Sequence, residues 1–265
     1  MGDLRLTREN IDFMLRVLVP EVDLQAADPD EGKKLTTIAL YHRLRGITRH
    51  LATGAAAPFA ADLSRAVQAR RLYLERLAAG KALHHARYGR LTQNRALFDA
   101  VAIGDLTSAA VIARLGLAAG ATAPETGVEA LFLRYLHELL AEGPMRGGQP
   151  SMGAKRVATL TTLREAGASP ESLMAEALEA RDGPAFSKAL LDLVEQRRAR
   201  FAADLTLPPE IVATEPHVFV LGLALVRIAQ AAGTRAEREY PTIPSQVLGL
   251  TTPLMPEPDA WRSPA

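Results

Sequence analysis

The sequence predicts an all-α protein, built as an array of antiparallel helical hairpins in one compact domain. Aromatic residues make up only 5% of the chain and β-branched runs are scarce, a composition that favours helices packed through small side chains. Apolar residues recur at helical spacing in nearly every segment, and glycine or proline separates the segments. With 265 residues, 48% of them hydrophobic, the chain can bury a sizeable core.

Three helices are predicted in the first third of the chain. Apolar spacing places them over about residues 7–18, 31–52 and 58–79, each followed closely by a proline or glycine. Arg70 falls on the apolar stripe of the third helix. We expect its guanidinium either to reach water at the edge of the stripe or to pair with a buried carboxylate.

Helix pairs are predicted to follow from residue 92 onward. Ser169 and Pro170 are expected to begin one helix, as an N-cap followed by proline at the first helical position. A long helix is predicted over 185–204. The last long helix is very apolar, and it is expected to begin around Thr214 and to end at Gly233.

The helical domain is predicted to cover residues 1–250. The segment "GPMRGGQPSMG" at 143–153 holds four glycines and two prolines, which makes it a possible boundary between two halves. Residues 251–265 include the proline-rich end "MPEPDAWRSPA", and we expect them to form a loosely ordered tail on the surface.

The composition excludes several classes of chemistry. The chain has no cysteine, so disulfides, thiol nucleophiles and cysteine-ligated metals are ruled out. The first residues lack the apolar centre of a signal peptide, and the longest apolar run, within 218–229, is too short to span a bilayer. These features predict a cytoplasmic protein that does not insert into membranes.

No motif for catalysis, metal binding or cofactor binding is recognisable. The chain lacks H-E-x-x-H, G-x-S-x-G, a P-loop and a G-x-G-x-x-G after a strand, so the sequence predicts a protein that is not an enzyme and holds no metal or cofactor. An enzyme with an unrecognised site remains the alternative. It would have to bring His84, His85 or His137 together with carboxylates.

Charge is distributed unevenly along the chain. Residues 33–95 hold thirteen lysines and arginines but only two acidic residues, a net charge of +11, whereas the whole chain carries +1. Such an asymmetry indicates an acidic partner, either a protein surface or a nucleic acid. Alternatively, acidic segments fold over the basic ones and cancel the field.

Nucleic-acid binding has some support from arginines next to Tyr73 and Tyr88, since phosphates attract cations and bases stack on aromatic rings. The near-neutral chain and the lack of a helix with polar, base-contacting residues argue against it. The sequence therefore favours a protein partner.

The last third of the chain resembles the immunity protein 49 family of bacterial polymorphic toxin systems. The resemblance is carried by "GLALVRIAQAAGTRAEREYPTIPSQVL", an Ala-rich apolar helix, a closing glycine, a short charged segment and a tyrosine-proline strip. Upstream, "ALFDAVAIGDLTSAAVIARLG" and "AFSKALLDLVEQRRARFA" resemble other units of the family in the same order. The likeness covers about residues 92–249, and the basic first 90 residues match less clearly.

This resemblance implies a helical antidote that neutralises a toxin, encoded by an adjacent gene, by stoichiometric binding. We expect the toxin contact on the basic segment, because charge speeds association and arginine is frequent at binding hot spots. A monomer is favoured. The alternative is a helical-repeat adaptor or regulator that binds a peptide or nucleic acid through its basic face. The predicted contact residues are Arg45, Arg49, Arg70, Arg71, Arg76, Arg87 and Arg90.

The tyrosine-proline strip after Gly233 has two interpretations. Pro241 and Pro244 should hold the chain extended, with the Tyr240 ring lying on neighbouring helices, so that the strip clamps the helical array. Alternatively Glu237, Glu239 and Tyr240 contact the toxin.

Overall fold

Thirteen α-helices account for most of the molecule, in a computed structural model that describes residues 3–25, 28–121, 125–142, 153–234, 239–250 and 257–263. In these ranges extended pairing is limited to one isolated bridge, between Tyr240 and Ile243. The prediction of an all-α fold is confirmed. The helices are α1 Leu4–Leu18, α2 Glu31–Thr53, α3 Ala56–Ala78, α4 Ala86–Gly89, α5 Ala96–Ala102, α6 Leu106–Gly120, α7 Val128–Ala141, α8 Ala154–Glu165, α9 Pro170–Ala180, α10 Gly183–Ala203, α11 Pro209–Val212, α12 Val220–Ala231 and α13 Ser245–Leu248.

Local sequence signals account for several helix ends. Gly54 closes α2 in the left-handed conformation, with φ of 69°, as a glycine after a helix allows. Ser169 begins α9 with a capping box: its hydroxyl accepts from the backbone N–H of Ser172, whose hydroxyl in turn accepts from the backbone N–H of Ser169. The predicted start of this helix is therefore confirmed.

Helix α3 lies at the centre of the packing. It packs along α2 over most of its length and also contacts α5, α6 and α13, while α1 covers α2. Further along the chain α6 packs on α7, α7 on α8, and α9 on α10, so neighbours in sequence pair as hairpins. Their buried apolar side chains form one continuous core that extends from Ile11 in α1 to Trp261 near the carboxyl end.

The predicted boundary at 143–153 falls almost entirely outside the described residues. On either side of it, α7 packs directly against α8. Leu136 and Leu160, one from each helix, belong to the same core.

The last long helix begins later than the sequence indicated, at Val220 instead of Thr214. Thr214 instead continues the turn after α11, because its hydroxyl donates to the carbonyl of Glu210 (2.5 Å). The amide of Phe219 donates to the carbonyl of Thr242 (2.7 Å), which keeps Phe219 out of helical geometry. The bond between Phe219 and Thr242 is a tertiary contact that local spacing does not reveal.

The tyrosine-proline strip turns sharply instead of running extended. Thr242 adopts a left-handed conformation with φ of 62°, and the amide of Ile243 donates back to the carbonyl of Tyr240 (3.2 Å). Beyond this turn, the Arg227 guanidinium on α12 donates to the carbonyls of Val247 and Leu250 (2.9 Å each). The strip is thus tied to α12, as a clamp requires.

The end of the chain does not lie loosely on the surface over residues 257–263. Trp261 is only 1% exposed, and its carbonyl lies 2.9 Å from Nε2 of His42 on α2. Gln68 on α3 accepts from the Trp261 amide and donates to the Glu257 carbonyl. The expectation of a loose tail was wrong for this part, because one large aromatic side chain docks into the core.

Candidate binding surface

The seven arginines predicted to contact a partner do not share one surface. Arg45 and Arg70 are buried in the core, at 0% and 1% exposure, whereas Arg87 and Arg90 are exposed. The remaining three arginines are partly covered. The helices of the basic segment therefore turn much of their positive charge inward.

Arg45 on α2 belongs to a buried ion-pair cluster around Asp62 on α3. The Asp62 carboxylate accepts from Nε and Nη2 of Arg45, at 3.0 and 2.7 Å. Arg49 and Arg65 also pair with this carboxylate, at 3.1 and 2.9 Å. Arg45 further donates to Nδ1 of His42 (3.1 Å). Because these groups join α2 to α3, the cluster stabilises the helix pair.

Two other predicted contact arginines also pair with carboxylates. Arg76 at the end of α3 makes two hydrogen bonds to the buried carboxylate of Glu31 at the start of α2, at 2.6 and 3.0 Å. Arg71 pairs with Glu75 one turn away on an exposed face (2.6 Å). The Glu31 pair fixes two helix ends, whereas the Glu75 pair is an ordinary surface contact.

Arg70 is buried, and no described carboxylate pairs with it. Its guanidinium donates to the side-chain oxygens of Asn94 and Thr36 and to the carbonyl of Tyr88, at 3.1, 2.9 and 2.8 Å. Neither sequence expectation was right, since the head group is buried from water and pairs with no acid in the described parts of the chain. Asn94 then donates to Nε2 of His137 (2.9 Å), which extends this polar chain to α7.

A second buried charge network joins parts of the chain that are far apart in sequence. Arg43 on α2 donates to Asp99 on α5 (2.6 Å) and to Glu215 (2.8 Å). Arg197 on α10 also donates to Glu215 (2.8 Å), and Arg95 lies 3.8 Å from it. Burial acts to raise the pKa of Glu215, but the three surrounding arginines outweigh it and lower this pKa to about 2.

Two cavities meet at this network. The first, of about 410 Å³, lies between α7, α10 and the segment after α10. The second, of about 350 Å³, lies between α2 and the segment that runs from α4 to α5. The two cavities share four lining residues, Arg43, Gln93, Arg95 and Ile211.

The segment 81–90, which runs from the end of α3 through α4, is the most exposed part of the basic region. Arg87 and Arg90 are exposed, and neither forms an ion pair with another described residue. Leu83 is 52% exposed beside them, and Tyr88 is half-buried. Arginine, tyrosine and an exposed leucine together are typical of a protein-binding surface, where they supply charge and apolar contact area.

Of the three residues of the tyrosine-proline strip that were predicted to contact a toxin, Tyr240 is not available on the surface. Tyr240 is buried, and its hydroxyl hydrogen-bonds Ser187 on α10 (3.0 Å). Glu239 is exposed, and Glu237 lies outside the described residues. The contacts of Tyr240 are those of a clamp between the strip and α10.

The histidines named for a possible enzyme site have separate surroundings. His137 is buried between the carbonyl of Leu133 (2.7 Å) and Asn94, and burial lowers its pKa to about 4. His84 contacts the carbonyl of Ala119, and His85 packs its ring against Tyr88. Within the described ranges no three histidine or acidic side chains come close enough to hold a metal ion.

Across the parts of the chain that the structure describes, the fold and these contacts define an all-helical protein whose basic, partly apolar segment 81–90 lies beside the second cavity. Comparisons of the chain with family models, with curated proteins and with solved structures gave no match in any of the three. Over the described residues, the apolar helices are too short or too charged for any of them to cross a bilayer.

Proposed function

We propose that the protein is an immunity protein, which neutralises a toxin by binding it stoichiometrically through the segment 81–90. The observation that carries this proposal is the contrast within the basic region. Arg45 and Arg76 form ion pairs with carboxylates of the protein itself. Arg87 and Arg90 are exposed and have no ion pair to any described residue. Cations in this state attract an acidic partner and pair with it on contact.

An apolar anchor beside the charges supports a protein partner over a nucleic acid. Leu83 exposes half of its surface between the end of α3 and Arg87. Protein interfaces derive much of their affinity from such apolar and arginine contacts, whereas phosphate backbones mainly require cations. The toxin identity of the partner rests on the resemblance to the immunity family.

Co-expression with the protein encoded by the adjacent gene tests this proposal. We expect the wild-type chain to restore growth to cells that produce the toxin, and a stable complex to purify. The double substitution R87E/R90E should weaken the complex at least tenfold and abolish rescue, because it reverses two contact charges.

A control with the same change in charge separates a specific surface from overall electrostatics. Arg5 on α1 and Arg198 on α10 are well exposed, so R5E/R198E changes the net charge equally at other sites. This variant should keep full affinity and rescue. Failure of the wild type to bind or rescue would refute the immunity function. Equal behaviour of the two double variants would refute the assigned surface.

A further inference from the structure

The second cavity has an unusually positive lining. Asp99 is the one acidic residue among the described side chains that line it. Five basic residues also line it, and the cavity opens beside the exposed segment 81–90. These basic residues are Lys33, Arg43, Arg70, Arg87 and Arg95.

Two of these five side chains lie within ion-pair distance of carboxylates inside the protein. Arg43 pairs with Asp99 and Glu215, and Arg95 lies within 3.8 Å of Glu215. The other three have no carboxylate within ion-pair distance among the described residues. These are Lys33, Arg70 and Arg87.

Arg70 is the most demanding of the three because it is 1% exposed. A buried cation loses its hydration, and a counter-charge or complete hydrogen bonding is needed to offset that free-energy cost. A guanidinium carries five N–H donors, and Arg70 uses three of them, so two remain for another acceptor. Burial lowers the pKa of Arg70 only to about 10, which leaves the group charged at neutral pH.

We infer that the second cavity binds a small anion that carries a phosphate or carboxylate group, with Arg70 at its buried end and Lys33 and Arg87 at its opening. Guanidinium groups match the paired oxygens of both anions. The anion would supply the negative counter-charge that Arg70 lacks among the described residues. Anion binding here needs no partner protein, although Arg87 at the opening also belongs to the proposed toxin contact.

The size and the other walls of the cavity suit a small organic ligand as well as an inorganic ion. A volume of about 350 Å³ falls at the lower end of the range for small-molecule sites. Tyr88, Leu40 and Ile211 provide an apolar wall, while Thr36 and Thr37 add hydroxyl groups. A ligand with one anionic group and a short apolar body fits this combination.

Titration of the full chain with inorganic phosphate, and separately with succinate, tests the inference. Chloride holds the ionic strength constant, and both binding heat and the melting temperature are followed. We expect saturable binding of at least one anion, with a melting temperature that rises by several degrees over chloride alone. Binding of phosphate alone, succinate alone or both identifies the anionic group that the site accepts.

Charge-neutral variants locate the site. K33Q and R87Q should each weaken binding about tenfold, because each removes a charged hydrogen-bond donor from the cavity. K81Q and R90Q remove the same charge from the same region but not from the lining, and should stay within twofold of wild type. R70Q should abolish binding, with circular dichroism checking the fold.

Two results would overturn the inference. One is the absence of saturable binding by either anion beyond the effect of chloride. The other is equal weakening by K81Q, R90Q, K33Q and R87Q, which would indicate diffuse surface attraction. If R70Q does not fold, the comparison of these four surface variants still decides the outcome.

Discussion

Arg45 and Arg70 are two fully buried arginines in the same helix pair, and their surroundings differ in one respect. Arg45, on α2, faces the carboxylate of Asp62 at 2.7 Å. Arg70, on α3, has hydrogen bonds to Asn94, Thr36 and a carbonyl, but to no carboxylate over the ranges that the structure describes. Arg45 donates directly to the buried His42, whereas Arg70 reaches the buried His137 through Asn94.

The difference separates structural charge from charge that is available to a ligand. Arg45 has a carboxylate counter-charge in Asp62, and this ion pair joins α2 to α3. The Arg70 site satisfies three donors but leaves the charge itself unbalanced, and it opens on a cavity. Burial of an arginine therefore identifies a candidate site only when its counter-charge is missing.

The largest effect is expected from removing the counter-charge of Arg45. The substitution D62N would leave Arg45 buried beside a neutral amide, with Arg49 and Arg65 close by. We expect a loss of about 3–5 kcal/mol in the free energy of unfolding, as for other broken buried ion pairs. Urea unfolding measures it.

The exposed pair of Asp192 and Lys188 provides the control for this change. D192N removes the carboxylate of a surface pair on α10 and should change the unfolding free energy by less than about 1 kcal/mol. If D62N is as stable as D192N, Asp62 does not offset the cost of burying the charge of Arg45.

Acid should destabilise both regions through their histidines. Burial lowers the pKa of His42 to about 3 and that of His137 to about 4, whereas both titrate near ~6.5 when unfolded. Between these pKa values the unfolded chain binds more protons than the folded chain. The free energy of unfolding is therefore unaffected by these histidines above about pH 6.5 and falls as the pH decreases below it. Each histidine should contribute a loss of about 3 kcal/mol by pH 4.

Unfolding curves of H42Q, H137Q and wild type between pH 7 and pH 4 test this. Each substitution should remove the contribution of one histidine to the loss of unfolding free energy between pH 7 and pH 4. This holds whatever the substitution does to stability at pH 7. If the unfolding free energy of both H42Q and H137Q falls with pH as steeply as that of wild type, the two histidines are not buried in their neutral form.

An intermediate effect is expected from crowding the polar chain beside Arg70. Gly116 on α6 lies so close that an added Cβ would come within 2.5 Å of Nδ2 of Asn94 and 3.3 Å of the His137 ring. G116A should therefore cost about 1–3 kcal/mol and displace Asn94 from Arg70. On the same helix, an added Cβ at Gly120 meets the Leu91 side chain at 3.3 Å and the Gly89 carbonyl oxygen at 3.7 Å, so G120A should cost much less. Thermal unfolding distinguishes them.

The smallest effect is expected at the surface pair of Arg71 and Glu75. R71Q should lower the unfolding free energy by no more than about 0.5 kcal/mol, as for exposed pairs one helical turn apart. R76Q should cost clearly more, because it leaves the buried carboxylate of Glu31 without its two hydrogen bonds. Equal losses would contradict the distinction between these two pairs.

The helical class and most helix ends followed from the sequence, because composition, apolar spacing and caps act locally. The capping box at Ser169 and the end of α2 at Gly54 are examples. The late start of α12 and the docking of Trp261 were missed, since each depends on a contact far along the chain: Phe219 with Thr242, and His42 with Trp261.

The fate of the basic residues was the hardest feature to predict. Net charge over 33–95 indicated a basic face, but Arg43 is neutralised by Glu215, which lies 172 residues away. The Asp62 cluster is local in sequence, yet one aspartate among many arginines gave no sign that it was buried. Nothing in the sequence distinguished Arg70 from Arg45, because the distinction rests on three-dimensional partners.

The most direct test of the contrast between Arg45 and Arg70 is a crystal structure after soaking with selenate, a tetrahedral dianion that anomalous scattering locates. We predict an ordered selenate in the second cavity, within hydrogen-bonding distance of Arg70, Lys33 or Arg87, and none beside Arg45. Selenate peaks confined to outer surface residues such as Lys81 and Arg90, with the cavity free of the anion, would contradict this.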